Sequence, residues 1–350
     1  MEPNRRRTGV AVVLALGVWT LVAWVIQPSC FATSDFYAFW AAAKLADQRI
    51  YDADAVGELQ HRECPEVGAK RFIRPAIQAL ILYPLGRLPF RIAYGVWFLL
   101  NVAACLALLR LRGSRPAETV ATALYLPLIW SFGLGQDAPL LLLAFVAGTR
   151  LLNRGRTCTG GALLAACLLK PNIFFAVPLL LATRKQFRPL VTMCAVAGLL
   201  ACAATLGAGL DWPVRFVRAA LANEAQISPN IVGLPGLIPA AGPGLWLRAV
   251  LAGFAIPVII LGTRKLGLEP ALNAASAAGL VFAPRAMIYD GVFLLPVLWS
   301  RFGGPETVVA GLVLALVVTP LRPLVQLTSP VWLWLAISQR RPPGQIRRLC

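Results

Sequence analysis

Charge is scarce in this sequence. Only 14% of its 350 residues are Asp, Glu, Lys or Arg, where a soluble domain carries about a quarter. Hydrophobic residues make up 58%, so an ordinary soluble globule is excluded. Period-two alternation of polar and apolar residues is missing as well, which excludes a β-barrel. Histidine is almost absent: His61 stands alone in a polar stretch and reads as a solvated surface residue. There is no CxxC, no Cys/His spacing and no acidic pair at metal spacing, so neither a metal site nor a cofactor is expected. The eight cysteines are scattered. Cys105, Cys167, Cys194 and Cys202 fall in apolar runs and read as small core residues. Cys30 and Cys64 share one polar stretch, where a disulfide is one of two open readings. No internal repeat divides the chain.

What is present is a series of apolar windows, several about 20 residues long, each able to cross roughly 30 Å of hydrocarbon as a helix. In lipid only helices and closed barrels satisfy the backbone. The fold class expected is therefore all-α: one polytopic transmembrane domain over residues 1–350, with about ten spans. The net charge of +18 does not point to nucleic acid. Its basic residues sit in short clusters between apolar runs, such as Arg5-Arg6-Arg7, Arg154/Arg156, Arg184-Lys185/Arg188, Arg264-Lys265 and Arg340-Arg341. That is the pattern of the positive-inside rule, and it puts the N-terminus in the cytoplasm.

Residues 10–27 form an uncleaved first span, and 28–73 a first external loop that is the most polar part of the chain. Within it, Ala38 to Asp47 reads as a helix lying in the interface, with Phe39 and Trp40 facing lipid. Residues 75–88 are short for a span and read as interfacial or re-entrant; 89–109, 117–134 and 138–152 follow as spans. Basic clusters flank 160–183 at both ends, and Pro171 breaks it near the middle. Two half-helices with Lys170 at the tip are expected. Next come a span at 189–209, an irregular Pro/Gly-rich external loop at 210–243, and apolar runs at 244–263, 270–284, 291–300, 307–319 and 328–338.

Asp35 lies where the first span should have ended, between aromatic residues that read as an interfacial belt. Lys170, an ammonium inside an apolar run, needs a partner or a wet cavity. Under this topology Arg74, Gln136, Arg285, Tyr289 and Asp290 gather with Asp35 at outer helix ends. Simpler roles exist for each: Arg74 and Arg285 snorkelling to headgroups, Gln136 satisfying a turn, Asp290 pairing with Arg285.

These residues also resemble glycosyltransferase family 87 of the GT-C superfamily, whose characterised members include polyprenyl-phosphate-mannose-dependent mannosyltransferases. Ser34-Asp35-Phe36-Tyr37 with Ile50-Tyr51-Asp52 is similar to the family's first loop. Residues 75–89 are similar to its proline-led helix, Gly135-Gln136 to its Gly-Gln turn, Lys170-Pro171-Asn172 to its Lys-Pro-Gln break, and Ala283-Pro284 with Tyr289-Asp290 to its Ser-Pro…Tyr-Asp motif. Arg74-Pro75 replaces a double proline and Ala283 a serine. The resemblance implies a GT-C-like multi-pass enzyme of the plasma membrane. It would move a sugar, mannose by family precedent, from a polyprenyl-phosphate donor to a glycolipid or glycan acceptor on the extracytoplasmic side. Asp35 would be the general base. Lys170, Arg285 and Arg74 would meet the donor phosphate, and Tyr37, Gln136, Tyr289 and Asp290 the substrate. A transporter or lipid flippase remains the alternative from another class, because intramembrane Lys170 and broken helices suit it too. The one-sided polar cluster and the missing repeat count against that alternative.

Overall fold

The computed structural model describes residues 35–63, 65, 69–227, 231–239, 242–302, 305–316 and 321–338, together with Gly17. The expected first span at 10–27, the Arg5 to Arg7 cluster, Cys30, Cys64 and the basic tail lie outside the described residues. All regular structure among the described residues is helical, apart from one isolated antiparallel bridge between Ile231 and Met287.

Among the described residues three helices are long and apolar enough to cross a membrane: Phe90–Arg112, Phe187–Ala208 and Pro243–Thr263. At 1.5 Å per residue each is roughly 30 Å or longer. The other expected spans that fall among the described residues are shorter or broken. The 117–134 run divides into Pro116–Ala123 and Leu126–Gly133, with Pro127 starting the second piece. Residues 291–300 divide into a 3-10 segment, Ile288–Leu294, and a short helix, Leu295–Arg301, that opens with Pro296. Proline costs an intrahelical hydrogen bond anywhere past the first turn, so each of these breaks falls where the sequence puts one. Residues 75–88 fold as Ala76–Ile81 and Tyr83–Gly86, each far too short to span.

Burial sorts these helices in a way that composition did not. Leu268–Phe282 is buried at every position from Ala271 onward, as expected of a helix apolar on all sides inside a core. Phe187–Ala208 is equally apolar but points its side chains outward, with Leu206 91% exposed. Cys194 and Cys202 lie on this helix and are exposed, unlike Cys105 and Cys167, which are buried. The core placement expected for the first two is therefore corrected: an apolar run does not distinguish a lipid-type surface from a protein interior.

The opposite correction applies to the first loop. Phe36–Leu45 does not turn Phe39 and Trp40 outward; Phe36 through Ala43 are all buried. Phe36 stacks on Trp97 with centroids 5.5 Å apart, and Trp40 Nε1 donates to the Leu88 carbonyl at 3.0 Å. The short helix Tyr83–Gly86 comes so close that a Cβ on Gly86 would stand 2.5 Å from the Ala43 carbonyl carbon. The aromatic run is thus the centre of a second core, separate from the larger one around Leu268–Phe282. Residues 210–243 are also more regular than their Pro/Gly content suggested: Trp212–Ile227 is a 16-residue helix. The punctuation that favoured a loop sits past its end.

At one end of the bundle, arginines close helix C-termini. Arg112 Nη2 donates to the Trp299 carbonyl at 2.8 Å, and Arg150 to the Leu111 carbonyl. Arg184 Nη1 reaches the Leu266 carbonyl at 2.7 Å and Nη2 the Thr263 carbonyl. Arg301 Nη2 donates to the Leu335 carbonyl at 3.0 Å. These carbonyls lie in or just beyond the last turns of four helices, where no intrahelical donor remains and the dipole favours a cation.

Candidate active site

Asp35 starts the Phe36–Leu45 helix, and its backbone N–H donates to the Leu134 carbonyl at 2.7 Å. The helix start is thereby tied to the turn at 134–136. Gly135 makes that turn with φ +62°, and a Cβ there would stand 2.7 Å from Phe36 Cβ. Only glycine meets both demands. The turn brings Gln136 Nε2 to 2.5 Å from Asp35 Oδ2. The other carboxylate oxygen, Oδ1, accepts from Lys70 Nζ at 3.2 Å. Buried Gln60 holds Lys70 in place by its main chain, donating from Nε2 to the Lys70 carbonyl at 2.9 Å and accepting the Lys70 N–H at 2.7 Å.

From Gln136 the network runs inward. Arg74 Nη2 donates to Gln136 Oε1 at 2.9 Å and lies 3.0 Å from Asp137 Oδ1. Gln78 Nε2 donates to Asp137 Oδ2 at 3.1 Å. Lys170 Nζ is 3.8 Å from Asp137 Oδ1 and forms an ion pair with Asp290. Asp290 Oδ2 accepts the Met287 N–H at 2.9 Å, which fixes the turn carrying Tyr289. Lys170 Nζ also lies 4.7 Å from the centre of the Tyr289 ring, within cation–π reach. Lys170 sits between Ala165–Leu169, a 3-10 segment, and Pro171–Phe174, so its amine is delivered by the break that Pro171 creates. The neighbouring Asn172 side chain bonds the Arg285 carbonyl.

Lys70, Arg74 and Lys170 therefore face Asp35, Asp137 and Asp290 in one chain of contacts. Arg74 and Lys170 are buried, and so are Asp137 and Asp290. Buried charges persist only when paired and hydrogen-bonded. Arg74 does not snorkel, and Gln136 does more than satisfy its turn. Asp290 takes Lys170 as its ion-pair partner.

The network borders a cavity of about 690 Å³ lined by Asp35, Lys70, Arg74, Gln136, Lys170, Arg285, Tyr289 and Asp290, among others. That is within the range of small-molecule sites. Seven of the eight residues expected from sequence meet there. Tyr37 does not: it is fully buried, its ring lies 4.8 Å from Phe90, and its hydroxyl donates to the Gln60 carbonyl. Its place is in the aromatic core, because successive residues of a helix face different sides: Asp35, Ala38 and Phe39 line the cavity, and Tyr37 does not. Sequence reasoning missed Lys70, Asp137, Gln60 and Gln78. Asp137 directly follows the Gly-Gln pair and had a local signal; the other three had none.

The family model for glycosyltransferase family 87 matches residues 72–320. The matched stretch contains Arg74, Gln136, Asp137, Lys170, Arg285, Tyr289 and Asp290, whereas Asp35 and Lys70 precede it. No curated protein and no solved structure matches the chain. With well over half of its length matched, and the matched residues converging on one cavity, the chain belongs to glycosyltransferase family 87.

Proposed function

We propose that this glycosyltransferase moves a sugar, mannose first among the choices, from a polyprenyl-phosphate donor to a hydroxyl of a glycan or glycolipid acceptor, with inversion. The observation that carries the reading is the meeting of Asp35 with Arg74, Lys170 and Arg285 around one cavity. The acceptor hydroxyl gives its proton to Asp35 as its oxygen bonds to the anomeric carbon. The bond from that carbon to the phosphate oxygen breaks, and the electron pair leaves with the polyprenyl phosphate. The transition state is oxocarbenium-like. Lys70 and Gln136 occupy one lone pair on each Asp35 oxygen, and a carboxylate offers about four. The acceptor hydroxyl therefore has a site without displacing either partner.

Negative charge grows on the departing phosphate. Arg285, Arg74 and Lys170 supply fixed cations for it, and in a site shielded from water such preorganised charge is a large part of catalysis. Tyr289 and Asp290 wall the sugar side. In this reading the chain crosses the plasma membrane several times. The arginine-capped end lies in the cytoplasm, as the positive-inside rule requires, and the cavity opens on the extracytoplasmic side.

Asp35→Asn tests the assignment. It keeps the size and one of the two acceptor oxygens that Lys70 and Gln136 use but removes the base, so transfer should fall by about 10²–10⁴-fold while donor binding and membrane insertion stay unchanged. Wild-type transfer by this variant would remove Asp35 from the mechanism.

A further inference from the structure

The turn at 284–290 carries Arg285, Tyr289 and Asp290 into the cavity wall. Its backbone is irregular from the end of the Leu268–Phe282 helix to the 3-10 segment that starts at Ile288. Met287 is extended, with φ −95° and ψ 167°, and side chains of an extended chain alternate in direction. Arg285 and Met287 line the cavity, whereas Ala286 between them is buried away from it.

Against Ala286 and Met287 runs a strap formed by residues 231–238. The Val232 N–H donates to the Ala286 carbonyl at 2.8 Å, and Ile231 pairs with Met287 in the antiparallel bridge. A single bridge cannot hold itself, since even a complete two-stranded hairpin is marginal in water. The strap is fixed from outside instead. Gln326, buried on the Arg322–Ile337 helix, donates from Nε2 to the Ile231 carbonyl at 2.8 Å. Arg248, buried on the Pro243–Thr263 helix, donates from Nε to the Ile238 carbonyl at 3.0 Å. Between these anchors, Gly233 comes so close to the Leu268–Phe282 helix that a Cβ there would stand 2.5 Å from the Leu280 carbonyl oxygen.

Buried carbonyls need donors whatever else they do, so both anchors serve the fold. What sets Gln326 apart is where its bond lands. Ile231 is the residue paired with Met287, which stands between Arg285 and Tyr289. Asn172 grips the same turn at the Arg285 carbonyl. Without Gln326 the turn keeps that hold and loses the one on its other side. The family match ends at residue 320, before Gln326.

We propose that Gln326 is a positioning residue for donor binding: acting through Ile231, it sets where Arg285 and Tyr289 stand in the cavity. The inference rests on the glycosyl-transfer reading above, in which Arg285 meets the donor phosphate and Tyr289 walls the sugar side.

The test uses the full chain in phosphatidylcholine nanodiscs and a panel of polyprenyl-phosphate hexoses and pentoses, mannose included. The donor that the wild type binds most tightly is the probe. Gln326→Met keeps an unbranched side chain and removes the N–H. Its affinity for the probe should fall about tenfold, the factor expected when one charge-assisted hydrogen bond is lost. Gly233→Ala pushes the strap off the Leu280 carbonyl and should give a similar loss. The double variant should lose no more than the weaker-binding single variant, because both changes act through one strap, whereas independent changes add. Leu333→Ala is the control for helix stability. Leu333 is a buried core residue of the same helix, so truncating it lowers the melting midpoint without removing a bond to the strap, and the folded protein should bind the probe as the wild type does. Additive losses in the double variant overturn the inference, and so does an equal loss in Leu333→Ala. If Gly233→Ala does not insert, Gln326→Met and Leu333→Ala decide. A wild type that binds the probe no better than Gln326→Met does overturns this inference alone, and a wild type that binds no member of the panel overturns the donor reading and this inference with it.

Discussion

The two ends of the bundle use their cations differently. At the cavity end, Arg74 and Lys170 are held by Asp137 and Asp290, charge against charge. At the other end, Arg112, Arg150, Arg184 and Arg301 are held by main-chain carbonyls at helix C-termini. Arg112 has one acid nearby, Glu118 at 3.6 Å, but its bond to the Trp299 carbonyl belongs to the shared pattern. The Phe90–Arg112 helix links the two regions: its first residue packs on Phe36, and its last caps another helix roughly 33 Å away at 1.5 Å per residue. A guanidinium on a carbonyl satisfies an orphan acceptor and favours the dipole, so it stabilises the fold directly. Buried ion pairs contribute little net stability, since desolvation offsets most of their attraction. The cavity end therefore carries charge that folding does not require, whereas the far end carries charge that folding uses.

The sharpest way to break this contrast is Asp137→Ala. It leaves Arg74 and Lys170 short of a shared partner inside the protein. Removing one member of a buried pair typically costs about 3–5 kcal/mol, the largest stability loss expected here. Thermal unfolding of the purified protein in nanodiscs would measure it. An unchanged midpoint would mean that water reaches Asp137 and that the network is not a buried one. Asp137→Asn should lose less, because it keeps an acceptor for Arg74.

How much of this was readable from sequence follows the same division. Backbone breaks were legible: Pro171 exposes Lys170, and Gly135 makes the turn that delivers Gln136. The wall of the cavity could be collected from residues that looked out of place, such as Asp35, Arg74 and Asp290. Burial was not legible. Phe36–Leu45 and Phe187–Ala208 are both apolar, yet one is core and the other surface, because a run rich in apolar residues suits either environment. Lys70 and Gln60 were hidden for another reason. Both stand in a polar stretch where a lysine and a glutamine are ordinary, and only the fold brings Lys70 to Asp35, 35 residues away in sequence.

At the far end the corresponding change is Arg184→Ala. It removes the donor for the Leu266 carbonyl, just past the Pro243–Thr263 helix, and one of two donors to the Thr263 carbonyl, which also accepts the Leu266 N–H at 2.9 Å. Leaving such groups unsatisfied costs about 1–3 kcal/mol, so the melting midpoint should drop, by less than in Asp137→Ala. Transfer per folded molecule should stay at the wild-type level. A loss of transfer with an unchanged midpoint would reverse the division and give the arginine end a part in the reaction.

The smallest stability effect is expected at the boundary of the two behaviours, the Lys70–Asp35 pair. The two side chains are each 31% exposed, and pairs open to solvent are worth at most about 1 kcal/mol. Lys70→Met should therefore leave the midpoint almost where it was. Its effect on transfer is a separate matter. Gln60 clamps the Lys70 main chain from both sides, an arrangement that fixes where the ammonium points and adds nothing to an ornamental surface pair. If Lys70 orients the base, losing it leaves Asp35 with Gln136 alone, and transfer should fall by about tenfold, equivalent to about 1.4 kcal/mol in the barrier. Lys70→Arg keeps a cation at the same carboxylate and should recover part of that loss. Wild-type transfer by Lys70→Met would confine the working charges to the buried network of Arg74, Asp137, Lys170 and Asp290, and would leave Gln136 as the sole group that aims Asp35.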